Sequence, residues 1–180
     1  MDAGSPHVRL ELPTEHVESQ NATPVTSGAT LRQLLTASVG VNFGLDYLPG
    51  SVTFDPVVRP APEALEASRI VCFDAFLSNL DRTPRNPNLL VWHRRLWLID
   101  HGAALYFQHD WEAPLERARS AFPQVKDHVL LPWASRLEEA GRELVAGLTP
   151  EVLAAAVEQV PDEWLSHEPR FPTPALQRAA

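Results

Sequence analysis

Two carboxylates and one amide lie close together in the middle of the sequence, on either side of a predicted β-hairpin. Asp81 is followed five residues later by Asn86, and Asp100 ends the second predicted strand, with Gly102 just beyond it. Carboxylate and amide oxygens are the ligands that Mg²⁺ prefers beside phosphate groups. Phosphoryl transfer also needs a carboxylate close to the attacking hydroxyl. The pattern predicts a phosphate and magnesium site, with Asp81 as the catalytic carboxylate and Asn86 and Asp100 as metal ligands.

Each member of this set also has an ordinary structural explanation. An Asp and an Asn that are five residues apart and flanked by Pro84 and Pro87 commonly form an Asx-turn or the exit from a helix. The segment 100–102, taken alone, is equally consistent with a cap on the residues that follow it. The set is more specific than its members, because a buried helix leads into Asp81 and a tight hairpin returns the chain toward it.

The elements that must position these residues are readable from local patterns. Apolar residues recur around most of a helix over residues 63–80, so this helix is expected to be buried. Strands at residues 89–92 and 96–99 are expected to form the hairpin, with a turn at residues 93–95. The hairpin would end at Asp100.

The N-terminal part carries weaker patterns. Residues 8–12 alternate apolar and charged side chains, which predicts one half-buried strand with no evident hairpin partner. Leu31, Leu34 and Leu35 predict a short helix. The glycines and aromatic residues of segment 39–51 predict a structured apolar loop.

The C-terminal third is predicted to be helical. Apolar residues recur at helical spacing from residue 129 to residue 145, and Pro132 is expected to kink or divide this run. Thr149 as an N-cap and Pro150 at the first helical position predict a further helix, which Pro161 ends. With the hairpin, these helices predict a mainly α, α+β fold.

Composition limits the size and the partners of the protein. A chain of 180 residues with 44% hydrophobic content can form one compact domain with a core. A formal net charge of -8 with one lysine, Lys126, argues against a polybasic surface for nucleic acid or for an anionic membrane. No stretch reaches the ~18 apolar residues of a membrane span, and the N-terminus does not resemble a signal peptide. A cytoplasmic protein is therefore expected.

Other candidate ligands are weaker. Four arginines lie between residues 82 and 95 without an acid among them, and they either form a solvated turn face or receive phosphate or an acidic partner. His101, His109 and Asp110 with Asp81 could form a metal-hydrolase cluster, but their spacing fits no His-x-x-x-His arrangement. Cys72 is the single cysteine, which excludes a disulfide framework and a multi-cysteine zinc site. The four arginines between residues 82 and 95 are Arg82, Arg85, Arg94 and Arg95.

Segments 81–88 and 98–102 resemble the catalytic and metal-binding loops of the HipA-like kinases. The apolar residues 73–80 and the upstream segments 40–44 and 47–50 are also similar to that family, and the resemblance covers about residues 30–165. It implies the large C-terminal lobe of a kinase-like fold, with Mg²⁺ as cofactor and ATP as substrate. By the same resemblance, Asp81 is catalytic, Asn86 and Asp100 bind magnesium, and a hinge that receives adenine lies near Asn42, Phe43 and Gly44.

The chain departs from that family pattern at two places. Two residues after the catalytic Asp, many related kinases carry Lys or His, whereas this chain has Thr83, so Arg82 or Arg85 is expected to supply the charge by contacting phosphate or substrate. A glycine-rich loop and an ATP-contacting lysine are not found before residue 43. The expected explanations are a truncated chain, a split kinase whose small lobe is a separate chain, or a degenerate protein.

The resemblance divides the chain into an irregular segment 1–28 with one strand, a kinase-like large lobe 29–168 and a loosely ordered tail 169–180. It predicts an ATP- and magnesium-dependent phosphotransferase, or a truncated remnant of one. The alternative is a catalytically inactive kinase-like module that binds proteins. Expected partners are a nucleotide and a protein substrate or regulatory partner, with no direct contact with nucleic acid or a membrane.

Overall fold

The structure is a computed structural model and describes residues 7–12, 36, 39–45, 47–57, 60–105, 116 and 119–165. The chain divides into two compact units, one made of residues 1–47 and 154–180 and the other of residues 48–153. The predicted short helix at Leu31, Leu34 and Leu35 and the predicted tail 169–180 lie outside the described residues, as do His109 and Asp110.

A two-stranded antiparallel sheet belongs to the first unit. β1 (His7–Leu12) pairs with β2 (Gly40–Leu45), so that His7 lies opposite Leu45 and Leu12 opposite Gly40. The strand predicted at residues 8–12 is confirmed, but the expectation that it has no partner is wrong. The loop predicted over residues 39–51 is also wrong in its first half, which forms β2. Local alternation identifies a strand, whereas its partner here comes from a distant segment whose own alternation is weak.

The second unit contains a three-stranded antiparallel sheet in the order β3-β4-β5. β3 is Val52–Thr53, β4 is Leu89–Trp92 and β5 is Arg95–Leu98. The predicted hairpin is confirmed, with a turn of two residues instead of three. His93 and Arg94 both have positive φ, at 48° and 63°, as in the type I′ turn that matches the twist of the strands. β3 was missed because two residues carry no periodic pattern.

The predicted buried helix is confirmed as α1 (Ala64–Phe76), which begins at the N-cap Glu63. It ends four residues earlier than expected, in a Schellman-type turn. Ser78 takes a left-handed conformation with φ 52°, and Asn79 N–H donates to the Asp74 carbonyl at 2.9 Å. This turn sends the chain back along the last turn of α1, toward Asp74.

The core of the second unit lies between α1, the sheet and the segment before the next helix. Two 3₁₀ helices, Pro123–Asp127 and Leu131–Trp133, precede α2 (Leu137–Gly147). The helical run predicted from residue 129 is therefore interrupted, but Pro132 lies within the second 3₁₀ helix and the break follows Trp133. Both α2 and the 3₁₀ helices pack against α1. The buried apolar core residues are Phe54, Ala67, Ile70, Val71, Leu89, Val129, Leu130 and Ala134.

Two further helices follow α2. α3 (Pro150–Val157) begins where predicted, because Thr149 Oγ1 accepts a hydrogen bond from Val152 N–H at 3.4 Å. α4 (Asp162–Leu165) comes directly after Pro161. The predicted α+β class is confirmed, with more strand than the mainly α expectation allowed. Among the described residues, no helix has the length and apolar character that crossing a membrane requires.

Candidate functional site

Asp81 lies in the loop that follows α1, and its carboxylate is held by Asn88. Asn88 Nδ2 donates to Asp81 Oδ2 at 3.2 Å and to the Asp81 carbonyl at 3.1 Å. Asn88 has a left-handed backbone with φ 47°, a conformation that Asn tolerates better than most residues. One amide therefore closes the loop 81–88 and orients the half-buried carboxylate.

A tight turn occupies the middle of this loop. Thr83 N–H donates to the Asn86 carbonyl at 3.0 Å, and Asn86 N–H donates to the Thr83 carbonyl at 3.1 Å. Pro84 occupies the second position of the turn, which suits its restricted φ. The residues Arg85 and Asn86 are exposed. The turn thus presents the predicted metal ligand Asn86 and the cation of Arg85 to solvent.

The segment that carries Asp100 is joined to the loop through the backbone of Asn88. Ile99 N–H donates to the Asn88 carbonyl at 3.0 Å. Asp100 is exposed, has φ 49°, and accepts the Gly102 N–H at Oδ1 with a distance of 3.3 Å. The left-handed residue is therefore Asp100 itself, while the absence of a side chain at Gly102 leaves room for its carboxylate, since a Cβ there would lie 3.2 Å from Oδ1.

Arg82 is buried directly beneath these two segments. Arg82 is 1% exposed, and its Nε donates to Asp74 Oδ2 at 2.5 Å. Nη1 donates to the Asn88 carbonyl, and Nη2 lies 3.3 Å from His101 Nε2. Arg82 therefore does not belong to a solvated turn face, unlike Arg94, which is exposed on the hairpin turn. A phosphate contact by Arg82 or Arg85 stays a prediction.

Asp74, on α1, is the centre of a buried polar cluster, here called the Asp74 network, with Asn79, Arg82 and His128. Asn79 Nδ2 donates to Asp74 Oδ1 at 2.9 Å, and His128 Nε2 lies 2.9 Å from Asp74 Oδ2. Leu130 N–H donates to His128 Nδ1 at 3.0 Å, so Nδ1 carries no proton. His128 is thus a neutral donor to the Asp74 carboxylate through Nε2.

The network keeps Asp74 ionised in spite of its burial. Burial favours the neutral acid and is the largest influence, but hydrogen bonds from His128 and Arg82 outweigh it. The pKa of Asp74 consequently lies below its ordinary value of 3.8. Hydrogen bonds donated to an ionised carboxylate stabilise the charged form and so lower its pKa.

This shift predicts a dependence of stability on pH. Because the folded-state pKa of Asp74 is lowered, its contribution to the free energy of unfolding is present above pH 3.8 and is lost as the pH falls through the folded-state pKa. Urea unfolding of the wild type and Asp74→Asn between pH 6 and pH 3 should give a stability difference that shrinks below about pH 4. A constant difference over this range would contradict an ionised Asp74.

Four residues of the site were not foreseen from the sequence: Asp74, Asn79, Asn88 and His128. Asp74 had a signal, because it is an acid between Phe73 and Ala75 in the apolar half of a buried helix. Asn88 lies two residues after Asn86 in a segment rich in Asn and Pro, where either amide could serve. His128 had none, since nothing near it in sequence indicates contact with α1.

The donor set is suitable for magnesium. The predicted ligands Asn86 and Asp100 offer exposed side-chain oxygens, one from an amide and one from a carboxylate. Among the described residues, no three His, Cys, Asp or Glu side chains cluster as a metal site. A magnesium ion would therefore depend on this mixed set, completed by water and phosphate oxygens as is usual for that ion.

The predicted hinge residues lie in the other unit. Asn42, Phe43 and Gly44 are on β2, opposite Leu10, Arg9 and Val8 of β1. Gly44 is buried. Their contact with adenine stays a prediction.

Comparison with known protein families identifies a match over most of the chain. A family model described as HipA-like kinase matches residues 7–178. This range is wider than the resemblance seen in the sequence, and it takes in β1, β2 and the whole second unit. No curated protein and no solved structure matches the chain.

Proposed function

Because the chain belongs to the HipA-like kinase family, we propose that it carries the catalytic and metal-binding loops of an ATP- and magnesium-dependent phosphotransferase. The observation that supports this proposal best is the pairing of the two loops. The side chain of Asn88 donates to the Asp81 carboxylate. The carbonyl of Asn88 accepts the N–H of Ile99, the residue before Asp100. Asn88 thereby links the loop 81–88 to the segment before Asp100, and this link supports a two-part site.

In this proposal Asp81 is the catalytic carboxylate. Its carboxylate orients the acceptor hydroxyl and takes its proton, while the hydrogen bond from Asn88 keeps the side chain in one orientation. Asn86 and Asp100 would hold magnesium with their side-chain oxygens. When bound, that ion neutralises charge on the phosphates of ATP. The fold around Asp81 would be the large lobe of a kinase-like fold.

The loop cation best placed for phosphate is Arg85. Thr83 cannot supply a positive charge, and the nitrogens of Arg82 already donate to protein groups. Arg85 is exposed in the turn next to Asn86. We therefore assign the phosphate contact to Arg85 first, with a nucleotide as the ligand. The proposed location is the cytoplasm, where ATP and magnesium are available.

A non-catalytic module that binds a protein partner is the second candidate. Thr83 favours it, because loss of the expected positive charge would weaken stabilisation of the transferred phosphoryl group. This candidate retains the fold and the Asp74 network but has no turnover. It predicts no phosphorylated product and no ATP hydrolysis above an Asp81→Ala control, together with a stable complex with a partner protein.

Thermal unfolding with Mg-ATP tests the nucleotide site. At a ligand concentration ~100 times Kd, binding should stabilise the wild type by about 2.7 kcal/mol, which is a rise in Tm of about 5–10 °C for a chain of this size. EDTA should remove the effect. Asp100→Asn should also lose most of it, because the substitution removes the charged magnesium ligand.

Asp55→Asn is the matched control for this measurement. Asp55 is an exposed Asp of the same unit, and Asn can still accept the hydrogen bond that Oδ1 receives from Val57 N–H at 2.9 Å. The control should keep the full rise in Tm. No rise in the wild type, or an equal rise in Asp100→Asn, would argue decisively against a metal and nucleotide site.

A further inference from the structure

We infer that Arg82 is a positioning residue, whose buried guanidinium fixes the Asp81 loop and the Asp100 segment relative to α1. The contacts that support this inference are independent of any activity. Its consequence for magnesium and nucleotide binding rests on the proposed function.

The three nitrogens of Arg82 reach three different parts of the chain. Nε donates to Asp74 on α1, Nη1 to the Asn88 carbonyl at the end of the loop, and Nη2 lies 3.3 Å from His101 Nε2. Guanidinium has donors only, so His101 Nε2 must accept and carries no proton. The segment that follows Asp100 is thus bonded to the same rigid group as the loop.

The guanidinium is itself held in place from the side of α1. Asp74 receives Nε at 2.5 Å and Nη2 at 3.4 Å, a fork-like pairing that defines the plane of the guanidinium. His128 and Asn79 occupy the same carboxylate, each at 2.9 Å. A hydrogen bond from one fixed group restrains the rotation of the next.

Asn79 provides a second route from α1 to the catalytic residue. Asn79 Oδ1 accepts the Asp81 N–H at 3.3 Å while Nδ2 donates to Asp74. The backbone of Asp81 and the carbonyl of Asn88 are therefore both attached to the Asp74 network. The hydrogen bonds of Asp81 go to Asn79 and Asn88, which link it to the buried charges indirectly.

A stabilising role alone would not require this arrangement. Apolar residues of similar volume often stabilise a core as well as a buried ion pair does. Here the guanidinium bonds outward to groups that border both predicted metal ligands and the catalytic residue. Partners of ligating segments commonly change metal affinity or activity by about 10–100-fold when they are removed. Positioning therefore explains the location of Arg82 better than core stability does.

Arg82→Lys tests the inference, because lysine keeps the charge but cannot bridge three segments with one nitrogen. Two measurements are needed on the full chain. The Kd for Mg-ATP, measured by titration calorimetry, should rise by about 10–100-fold. Amide hydrogen exchange at Ile99, whose N–H donates to the Asn88 carbonyl, should speed up relative to the amides of α2. A uniform loss of stability would speed both regions together.

Arg136→Lys is the matched control, since Arg136 is exposed and pairs with Glu139 at 2.7 Å. It should leave the Kd and the exchange at Ile99 unchanged. If Arg82→Lys does not fold, His101→Ala replaces it, because His101 is exposed and its loss leaves no buried charge unpaired. That variant should also speed exchange at Ile99 relative to α2.

The outcomes separate this inference from the proposed function. Unchanged exchange at Ile99 in the folded variant would overturn the positioning role. If the wild type binds Mg-ATP, an equal Kd in the folded variant would overturn it as well. If the wild type binds no Mg-ATP, the proposed function fails, and exchange at Ile99 alone decides whether Arg82 positions the two segments.

Discussion

Asp74→Ala is expected to lower the free energy of unfolding by about 3–5 kcal/mol, the usual cost of removing one partner of a buried ion pair. The substitution leaves the Arg82 guanidinium buried without its carboxylate, in a side chain with 0% exposure. It also removes the acceptor for Asn79 and for His128 Nε2. Urea unfolding followed by circular dichroism measures the change.

Glu143→Ala serves as the control for this prediction. Glu143 pairs with Arg69 at 2.7 Å, but both side chains are about half exposed, so the loss should be far smaller. A double variant sharpens the test. Asp74→Leu with Arg82→Met removes both charges, and it should lose less stability than the sum of the two single substitutions. Strict additivity, or a loss in Asp74→Ala no larger than in Glu143→Ala, would contradict a coupled buried pair.

The second large effect concerns catalysis. If the chain transfers phosphate, Asp81→Asn should lower the rate of ATP turnover or autophosphorylation by about 10²–10⁴-fold, the range expected for loss of a general base. Asn retains an oxygen that can accept the hydrogen bond from Asn88 Nδ2, so the loop conformation should persist. Labelled phosphate incorporation and ADP release measure the rate, and calorimetry measures Mg-ATP affinity.

The two acids of the site should respond differently. Asp81→Asn should retain most of the affinity for Mg-ATP, because Asp81 is not assigned to the metal, whereas Asp100→Asn should lose affinity and rate together. Asp55→Asn should preserve both. Equal rates in the wild type and Asp81→Asn would refute a catalytic Asp81, and a wild type without turnover would favour the protein-binding module.

Local patterns predicted the secondary structure near the site. The periodicity of α1 and the hairpin β4-β5 were foreseen because neighbouring residues carry the signal. The end of α1 was placed four residues late, since apolar residues continue beyond Phe76 while the backbone at Ser78 is left-handed. The partner of β1 was missed because strand pairing with β2 joins distant segments.

By itself, the sequence determined which chemistry the loops can offer, because Asp81, Asn86 and Asp100 and their spacing are properties of adjacent residues. The same residues indicated the family, and the match over residues 7–178 confirms it. The surroundings of these residues, in contrast, depend on how the chain folds. The tertiary structure buried Arg82, brought His128 to Asp74 across 54 residues of chain, and made Asn88 the partner of Asp81. A buried charge must find partners wherever the fold brings polar groups together, and such contacts leave no periodic pattern in the sequence.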